Sequence, residues 1–314
     1  MKPPLQIGIL DFGLRSGKVN SLLKLEDLFE YAGQADALGY SRFWIAEHYF
    51  SSVRTAWTNP VPVIPLLGAV TSRIRVGTAG ILLKLHNPFH IAGTFKLYNN
   101  LFGNRIDLGL VNGGSLNEQI VAYCKAEGVS FDAAYRELLH YLRDEAGVYQ
   151  QGAGAVLPPY GGTIPELWSM STSVHGFNRA LELGTNFSRS IFHTGADLAP
   201  CRDAVQEFRE EFFSRYGKMP RVNLAVSGCC QESEKKAREI FEAQHLDPKL
   251  FIAGGVPEVH DAFMRLAEDF GVDEIIFKDI AKERQDRFQT LELLSESFGL
   301  THRREVKLPA IQAA

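Results

Sequence analysis

Short apolar runs alternate along the chain with longer segments in which apolar residues recur every three or four positions. The first pattern is typical of buried strands and the second of amphipathic helices. Eight strands are predicted, at Gln6–Phe12, Arg42–Glu47, Arg73–Leu83, Arg105–Val111, Ile164–Met170, Asn186–Phe192, Val222–Gly228 and Glu274–Ile280. Helices are predicted between and after them, at Leu25–Leu38, Val61–Thr71, Pro88–Asn100, Phe131–Ala146, Ser173–Leu183, Leu198–Tyr216, Glu232–Gln244, Pro257–Phe270 and Lys282–Ser297.

A strand followed by a helix, repeated eight times, predicts parallel strands joined by right-handed crossovers. Eight such units favour an α/β fold of the closed (β/α)8 TIM barrel type over an open doubly wound sheet. A dinucleotide-binding sheet would carry a GxGxxG turn after its first strand, and the residues after Asp11 do not fit that pattern. We therefore predict one barrel domain over residues 1–314. A Gly- and Pro-rich insertion near residues 150–163 is expected to form a loop or short hairpin.

Composition and charge exclude several function classes. The 314 residues include 33 Lys and Arg against 37 Asp and Glu, a net charge of −4, and 45% are hydrophobic, which excludes a disordered chain. Without a basic cluster, no nucleic-acid partner is expected. Since no run of about 18 apolar residues and no signal-peptide pattern occurs, we expect no membrane span. The four cysteines show no disulfide or zinc spacing, and together these features predict a cytoplasmic protein.

Candidate chemistry lies at the C-terminal ends of the predicted strands, where barrels of this type carry their active sites. His48 directly follows Glu47 at the end of the second strand. A histidine in this position can act as a general acid or base near neutral pH. The alternative is a structural histidine with Glu47 as its hydrogen-bond partner. His86 and His90 lie four residues apart, but without the glutamate of an HExxH motif, so no metal site is predicted.

Two further strand ends, and the helix after one of them, carry residue types that suit a phosphate group. Ser171, Thr172 and Ser173 open a predicted helix, where hydroxyl and free N–H groups bind phosphate; the alternative is ordinary N-capping. Gly113 permits close approach of a ligand to the backbone, or simply forms a turn. Arg136, on the helix after the fourth strand, is either a phosphate contact or a surface charge.

Several of these segments together resemble the bacterial luciferase-like flavin monooxygenases. Gly39–Phe50 is similar to the second-strand signature of that family, and Asn59–Pro60 also fits. Thr71–Gly80, Gly103–Leu110 and Gly255–Glu258 agree with the family in order and spacing. The resemblance spans most of the chain, and the family fold is a (β/α)8 barrel, as the alternation of elements predicts.

The resemblance implies a flavin-dependent monooxygenase. Family members bind reduced FMN, react it with O2 and oxidise a small organic substrate through a C4a-peroxyflavin. His48 matches the family's active-site histidine, and we expect Glu47 to act beside it. The cofactor contacts expected in this way are Thr78, Ala79, Gly80, Asn112, Gly113, Arg136, Ser171, Thr172 and Ser173. The residues expected to line the substrate pocket are Phe12, Tyr49, Phe50, Trp57 and His193.

Two departures from the family pattern bear on this implication. Many members have an arginine after strand four, where this chain has Asn112. This chain must therefore bind the flavin phosphate in a different way from those members. The segment before Gly255 is too short for the long lid of true luciferases, so light emission is not expected. F420-dependent hydride transfer and non-catalytic flavin binding remain alternatives within the family. The sequence has no NAD(P)H fingerprint, so we expect a separate reductase to supply reduced flavin, and the resemblance implies a homodimer.

Overall fold

The structure is a computed structural model that describes residues 4–15, 20–49, 55–113, 117–152, 154–196 and 198–300. Its strands are β1 Gln6–Asp11, β2 Arg42–Ile45, β3 Arg75–Thr78, β4 Ile81–Leu82, β5 Ile106–Val111, β6 Glu166–Ser171, β7 Asn186–Ser190, β8 Val222–Gln231, β9 Phe251–Gly255 and β10 Glu274–Asp279. Its α-helices are α1 Ser21–Ala37, α2 Ile64–Val70, α3 Pro88–Leu101, α4 Glu118–Tyr123, α5 Phe131–Arg143, α6 Glu145–Gln151, α7 Gly176–Leu183, α8 Arg202–Tyr216, α9 Glu234–Glu242, α10 Val256–Asp269 and α11 Arg284–Ser297. None of these helices is long and apolar enough to cross a membrane.

Eight parallel strands close into a barrel, which confirms the predicted fold. Around the ring they run β10, β1, β2, β3, β5, β6, β7 and β8, and pairing of β10 with β8 closes it. Gln6 of β1 lies opposite Glu274 of β10, and Ile275 lies opposite Leu224 of β8. The two remaining strands extend this ring, because β4 pairs with β5 and β9 pairs with the outer part of β8.

The structure differs from the predicted elements at several places, and helix α4 has no counterpart among them. The single strand predicted at Arg73–Leu83 is divided into β3 and β4, with Leu83–Leu85 in a short 3-10 helix. The helix predicted at Phe131–Ala146 ends before Asp144, whose carboxylate accepts the Gly147 N–H at 3.0 Å and begins α6 instead. Strand β9 was missed because its five residues end in two glycines, which have low strand propensity. Residues 154–163 contain no helix or strand.

Alternation along the strands divides the apolar residues into two layers. Outward residues pack against the helices in the larger cluster, and inward residues fill the barrel. The buried inward residues are Leu10, Trp44, Ala46, Trp168, Phe192, Ala225 and Ile276. Trp44 and Trp168 meet edge to face with ring centroids 5.1 Å apart, so two large aromatic side chains fill the middle of the barrel.

A fully buried arginine closes the N-terminal end of this interior. The Arg42 guanidinium donates to Glu274 of β10 at 2.7 Å and to Asp107 of β5 at 2.6 Å. The Trp44 indole N–H donates to the same Asp107 carboxylate at 2.9 Å. The guanidinium also lies 4.6 Å from the Trp168 ring centroid. One side chain thus joins three strands that are distant in sequence, with its charge compensated inside the barrel.

Replacement of Asp107 should test how far the barrel depends on this charge. Burial opposes ionisation of Asp107, but the Arg42 and Arg75 charges outweigh it and lower its pKa. The Asp107→Asn substitution leaves part of the buried positive charge uncompensated. We expect the free energy of unfolding to fall by about 3 kcal/mol, measured by urea denaturation at pH 7.

The matched control is an ion pair on the surface. Arg136 and Glu182 are both 59% exposed, and exposed pairs contribute little to stability. The Glu182→Gln midpoint should therefore equal that of the unmodified protein. An Asp107→Asn midpoint equally unchanged would contradict a structural role for the buried network.

Candidate active site

A cavity of about 510 Å³ opens at the C-terminal ends of the barrel strands. It is lined by Leu10, Phe12, Trp44, Glu47, His48, Ala79, Gly80, Leu82, Val111, Asn112, Gly113, Met170, Ser171, Thr172, Arg179, Ser188, Ser190, Phe192, His193 and Ala225. A groove of similar volume, about 520 Å³, lies on the outer surface of α11. We take the first as the functional site, because barrel chemistry resides at the strand ends and the cavity combines apolar walls with a few polar groups.

His48 lies in this cavity with a free ring nitrogen. It follows β2, and its ring centroid is 4.6 Å from that of Phe12. Its Nε2 is buried and has no hydrogen-bond partner among the described residues. Burial lowers the pKa of His48, with Glu47 opposing this effect and Lys278 adding to it. At pH 7 the ring is therefore neutral and has one nitrogen available to a ligand.

The Glu47 carboxylate is engaged by the cavity wall. Its Oε2 accepts the Leu82 N–H at 2.8 Å, and its Oε1 lies 2.8 Å from the His86 Nε2. The hydrogen-bond partner of Glu47 is thus His86, where the sequence suggested His48. Burial and the Glu47 carboxylate raise the pKa of Tyr49, which packs outside the cavity lining. Glu47 lines the cavity and holds its wall in place.

The side of the cavity formed by β3 and β5 is made largely of backbone. Thr78 is fully buried, and its hydroxyl donates to the Gly109 carbonyl at 3.1 Å. A Cβ on Gly109 would lie 2.1 Å from the Thr78 carbonyl oxygen, so only glycine permits this approach. Ala79 and Gly80, which are joined by a cis peptide bond, line the cavity. Thr78 thus supports a wall that Ala79 and Gly80 present.

The predicted phosphate residues line one end of the cavity, with two exceptions, Ser173 and Arg136. Asn112, Gly113, Ser171 and Thr172 line it. Ser173 does not, because its N–H donates to the Ser171 hydroxyl at 3.1 Å and its own hydroxyl accepts the His175 N–H. The predicted helix start at residue 173 is wrong, since α7 begins three residues later at residue 176.

A different arginine from the predicted one lies at this end of the cavity. Arg136 pairs with Glu182 on the surface and does not line the cavity. Arg179, in the first turn of α7, does line it. Its Nε donates to Asp132 at 3.0 Å, and its guanidinium lies over the Phe131 ring. Its position in the first turn after β6 is a sequence signal that could have identified it.

The residues predicted for the substrate pocket divide into two groups. Phe12 and His193 line the cavity. Trp57 does not, because its ring is buried and its indole N–H donates to the Ala46 carbonyl at 2.9 Å. Phe50 lies outside the described residues. Two predicted side chains therefore remain as candidates for substrate contact.

Lys278 is a candidate that the sequence patterns did not single out. It occupies the last inward position of β10, with its Nζ 5.1 Å from the Phe12 ring centroid and 5.7 Å from that of Phe192. Burial lowers the pKa of Lys278, while the Asp11 and Asp279 charges oppose this effect. The sequence signal that could have identified Lys278 is its position on the strand, two residues after the inward-pointing Ile276.

Comparison with known proteins identifies the family. A family model described as luciferase-like monooxygenase matches residues 5–290. The N-acetyl-S-alkylcysteine monooxygenase of Bacillus subtilis (strain 168) is 27% identical over 328 residues, which cover 93% of this chain and 98% of that protein. A luciferase-like monooxygenase of Escherichia coli (strain K12) is 29% identical over 267 residues, which cover 81% of this chain and 77% of that protein.

Solved structures share the fold over nearly the whole chain. The crystal structure of apo-MsnO8 matches with a TM-score of 0.82 and 26% identity, covering 95% of this chain and 100% of that one. The oxygenating constituent of 3,6-diketocamphane monooxygenase from Pseudomonas putida, in complex with FMN, matches at 0.74 and 16% identity (94% and 97% covered). An F420-dependent secondary alcohol dehydrogenase matches at 0.68 and 14% identity (96% and 100% covered). With a family model that spans residues 5–290, the chain belongs to the luciferase-like monooxygenase family.

Proposed function

We propose that this protein uses reduced FMN and O2 to transfer one oxygen atom to a small organic substrate. Reduced FMN, O2 and substrate give oxidised FMN, oxygenated substrate and water, so flavin and substrate each supply two electrons. The observation that carries the proposal is the strand-end cavity, which combines a backbone wall at Gly80, a free ring nitrogen on His48 and an arginine at one end. Its volume of about 510 Å³ falls in the usual range for cofactor sites.

Unpartnered polar atoms in the cavity suit the polar edge of a flavin ring. The His48 Nε2 and the Ser190 hydroxyl are buried without a hydrogen-bond partner among the described residues. Both residues line the cavity. Buried polar atoms in native proteins are nearly always hydrogen-bonded, so these two atoms favour a polar ligand. Gly80 adds a surface without a side chain, against which a flat aromatic ring fits.

The other end of the cavity suits the phosphate group of FMN. Ser171 and Thr172 offer hydroxyl groups, Gly113 offers backbone, and Arg179 supplies positive charge. An arginine binds phosphate with two parallel hydrogen bonds. Its present partner, Asp132, is 53% exposed, and exposed ion pairs are weak enough to exchange. Arg179 thus supplies the charge that Asn112 lacks.

When bound, reduced FMN supplies the electrons and activates O2. The chain contributes a proton-transfer group and a dry cavity. Neutral His48 can accept or donate a proton at Nε2 next to the reacting atoms. Phe12 and Phe192 cover the cavity near this atom and exclude water. Glu47 fixes the wall beside His48. No GxGxxG turn for a nicotinamide cofactor follows β1, so we expect a separate reductase to supply the reduced flavin.

The Arg179→Gln substitution tests the phosphate end. Loss of a charge-assisted pair should weaken FMN binding by about tenfold. Riboflavin, which has no phosphate, should bind both proteins equally. Isothermal titration calorimetry with each flavin measures the difference. Arg136→Gln is the matched control and should change neither affinity. Selective loss of FMN affinity in Arg136→Gln would place the phosphate at the surface arginine instead.

The His48→Gln substitution tests proton transfer. We expect oxygen insertion to slow by roughly 100-fold or more, because a general acid or base is lost, while the affinity for reduced FMN stays within a factor of about three. A flavin reductase, FMN and ¹⁸O2 are supplied with a panel of ketones, aldehydes and thioethers, and labelled products are measured by mass spectrometry. Unchanged labelling would show that His48 takes no part in the chemistry.

The same assay separates the two cofactors. Binding of F420 without binding of reduced FMN, and without labelled product, would favour hydride transfer.

The protonation of His48 should make stability depend on pH. Its pKa in the folded protein lies below the ordinary value of 6.5, so the unfolded chain binds more protons just below that pH. Stability should therefore fall as the pH drops through this window. Proton NMR should show the imidazole of His48, assigned from the His48→Gln spectrum, titrating below pH 6.5. The nearby charged or titratable groups are Glu47, His193 and Lys278. A pKa of His48 at or above 6.5 would contradict the expectation that burial keeps its imidazole neutral.

A further inference from the structure

Three basic side chains lie near one another at the β1 and β10 side of the cavity: two of them line it, and the third, Lys278, lies against the lining rings Phe12 and Phe192. They are His48 after β2, His193 after β7 and Lys278 of β10, and we call them the basic cluster. The Phe12 ring separates two of them, 4.6 Å from the His48 ring and 5.1 Å from the Lys278 Nζ. The Phe192 ring lies 4.4 Å from the His193 ring and 5.7 Å from the Lys278 Nζ. The three bases therefore surround an aromatic surface.

Among the residues that the structure describes, no carboxylate forms an ion pair with these three side chains, although the charges of Asp11 and Asp279 act on Lys278 from further away. The Lys278 Nζ makes no hydrogen bond or ion pair with any residue that the structure describes, and within the same residues the buried His48 Nε2 also has no partner. The nearby acids have other partners: Asp11 pairs with Arg287, Glu47 binds His86, and Asp279 accepts the Ala281 N–H at 2.8 Å. A partly buried ammonium without a counterion is unfavourable, and an anionic ligand relieves that cost.

The basic cluster is separate from the end of the cavity assigned to phosphate. In the closed ring, β10 stands four places from β5, and β1 stands four places from β6. Arg179, Ser171 and Gly113 belong to the β5 and β6 side, whereas Lys278 and Phe12 belong to the β10 and β1 side. An anion at the basic cluster therefore lies across the barrel from the proposed flavin phosphate.

We propose that the basic cluster binds a carboxylate group of the substrate, so that the enzyme oxidises small organic acids. This inference rests on the proposed function, because it takes the cavity as the place where substrate is oxidised. The ammonium of Lys278 pairs with the carboxylate, and the neutral His48 and His193 rings can each donate one N–H to it. The apolar part of the acid lies against Phe12 and Phe192. A neutral analogue leaves Lys278 without a counterion and binds more weakly.

The experiment measures binding to the flavin-free protein of hexanoate and of its neutral analogue hexanamide. Calorimetry at pH 7 should show that hexanoate binds at least about tenfold more tightly, as expected for a charge-assisted contact. Lys278→Met keeps the apolar contacts and removes the charge, so the hexanoate preference should disappear while hexanamide affinity stays unchanged. Lys282→Met, an exposed lysine four residues later, is the matched control and should behave as the unmodified protein. Lys278→Gln replaces the methionine variant if the latter loses its circular dichroism spectrum.

Three results would overturn the proposal. The first is equal affinity of the unmodified protein for the two ligands, or binding of neither. The second is loss of hexanoate preference in Arg179→Gln but not in Lys278→Met, which places the anion at the phosphate end. The third is weaker binding of reduced FMN in Lys278→Met with hexanoate binding intact, which assigns the lysine to the flavin. Because the hexanoate and hexanamide titrations contain no flavin and no O2, failure of the monooxygenase proposal would leave their result unchanged.

Discussion

The buried Arg42 guanidinium is the interaction on which the barrel depends most directly. It joins β2 to Asp107 of β5 and Glu274 of β10, and these strands are brought together only by closure of the ring. Side chains on a strand alternate between its two faces, so every second residue of β2 after Arg42 also points inward. Trp44 fills the middle of the barrel, and His48 reaches the cavity at the top. The ion pairs at the bottom thus fix the row of side chains that ends in the candidate active site.

Acidic and basic side chains near the cavity differ in how they are paired. The carboxylates of Asp11 and Glu47 are paired with Arg287 and His86, and these pairs hold the segments around the cavity in place. Within the part of the chain that the structure describes, the Lys278 Nζ has no hydrogen-bond acceptor and the buried His48 Nε2 has no partner. An enzyme that must hold an anionic cofactor or substrate gains from this arrangement, because binding supplies charge compensation that the folded chain lacks. The barrel itself is compatible with several chemistries, and the site residues decide which one occurs.

Local patterns were enough to predict the eight-unit barrel, because the hydrophobic periodicity of a strand or helix depends only on residues that are close in sequence. They were insufficient where a tertiary contact sets an element boundary. The third predicted strand is divided beside Gly80, where β5 approaches too closely for any side chain. The helix expected across Asp144 ends there because that carboxylate caps a new helix. Strand β9 forms because β8 extends beyond the ring and offers it an edge.

The sequence by itself determined which residues stand at the strand ends, and so it placed His48, Gly113 and Ser171 at the cavity. Strand order and inward alternation follow from local periodicity, which needs no knowledge of distant contacts. Only the tertiary structure decided which side chains meet across the ring. It set Arg179 at the cavity in place of Arg136, paired Glu47 with His86, and brought Lys278 beside His48. The physical reason is that these contacts join elements far apart in sequence, and their geometry exists only once the barrel has closed.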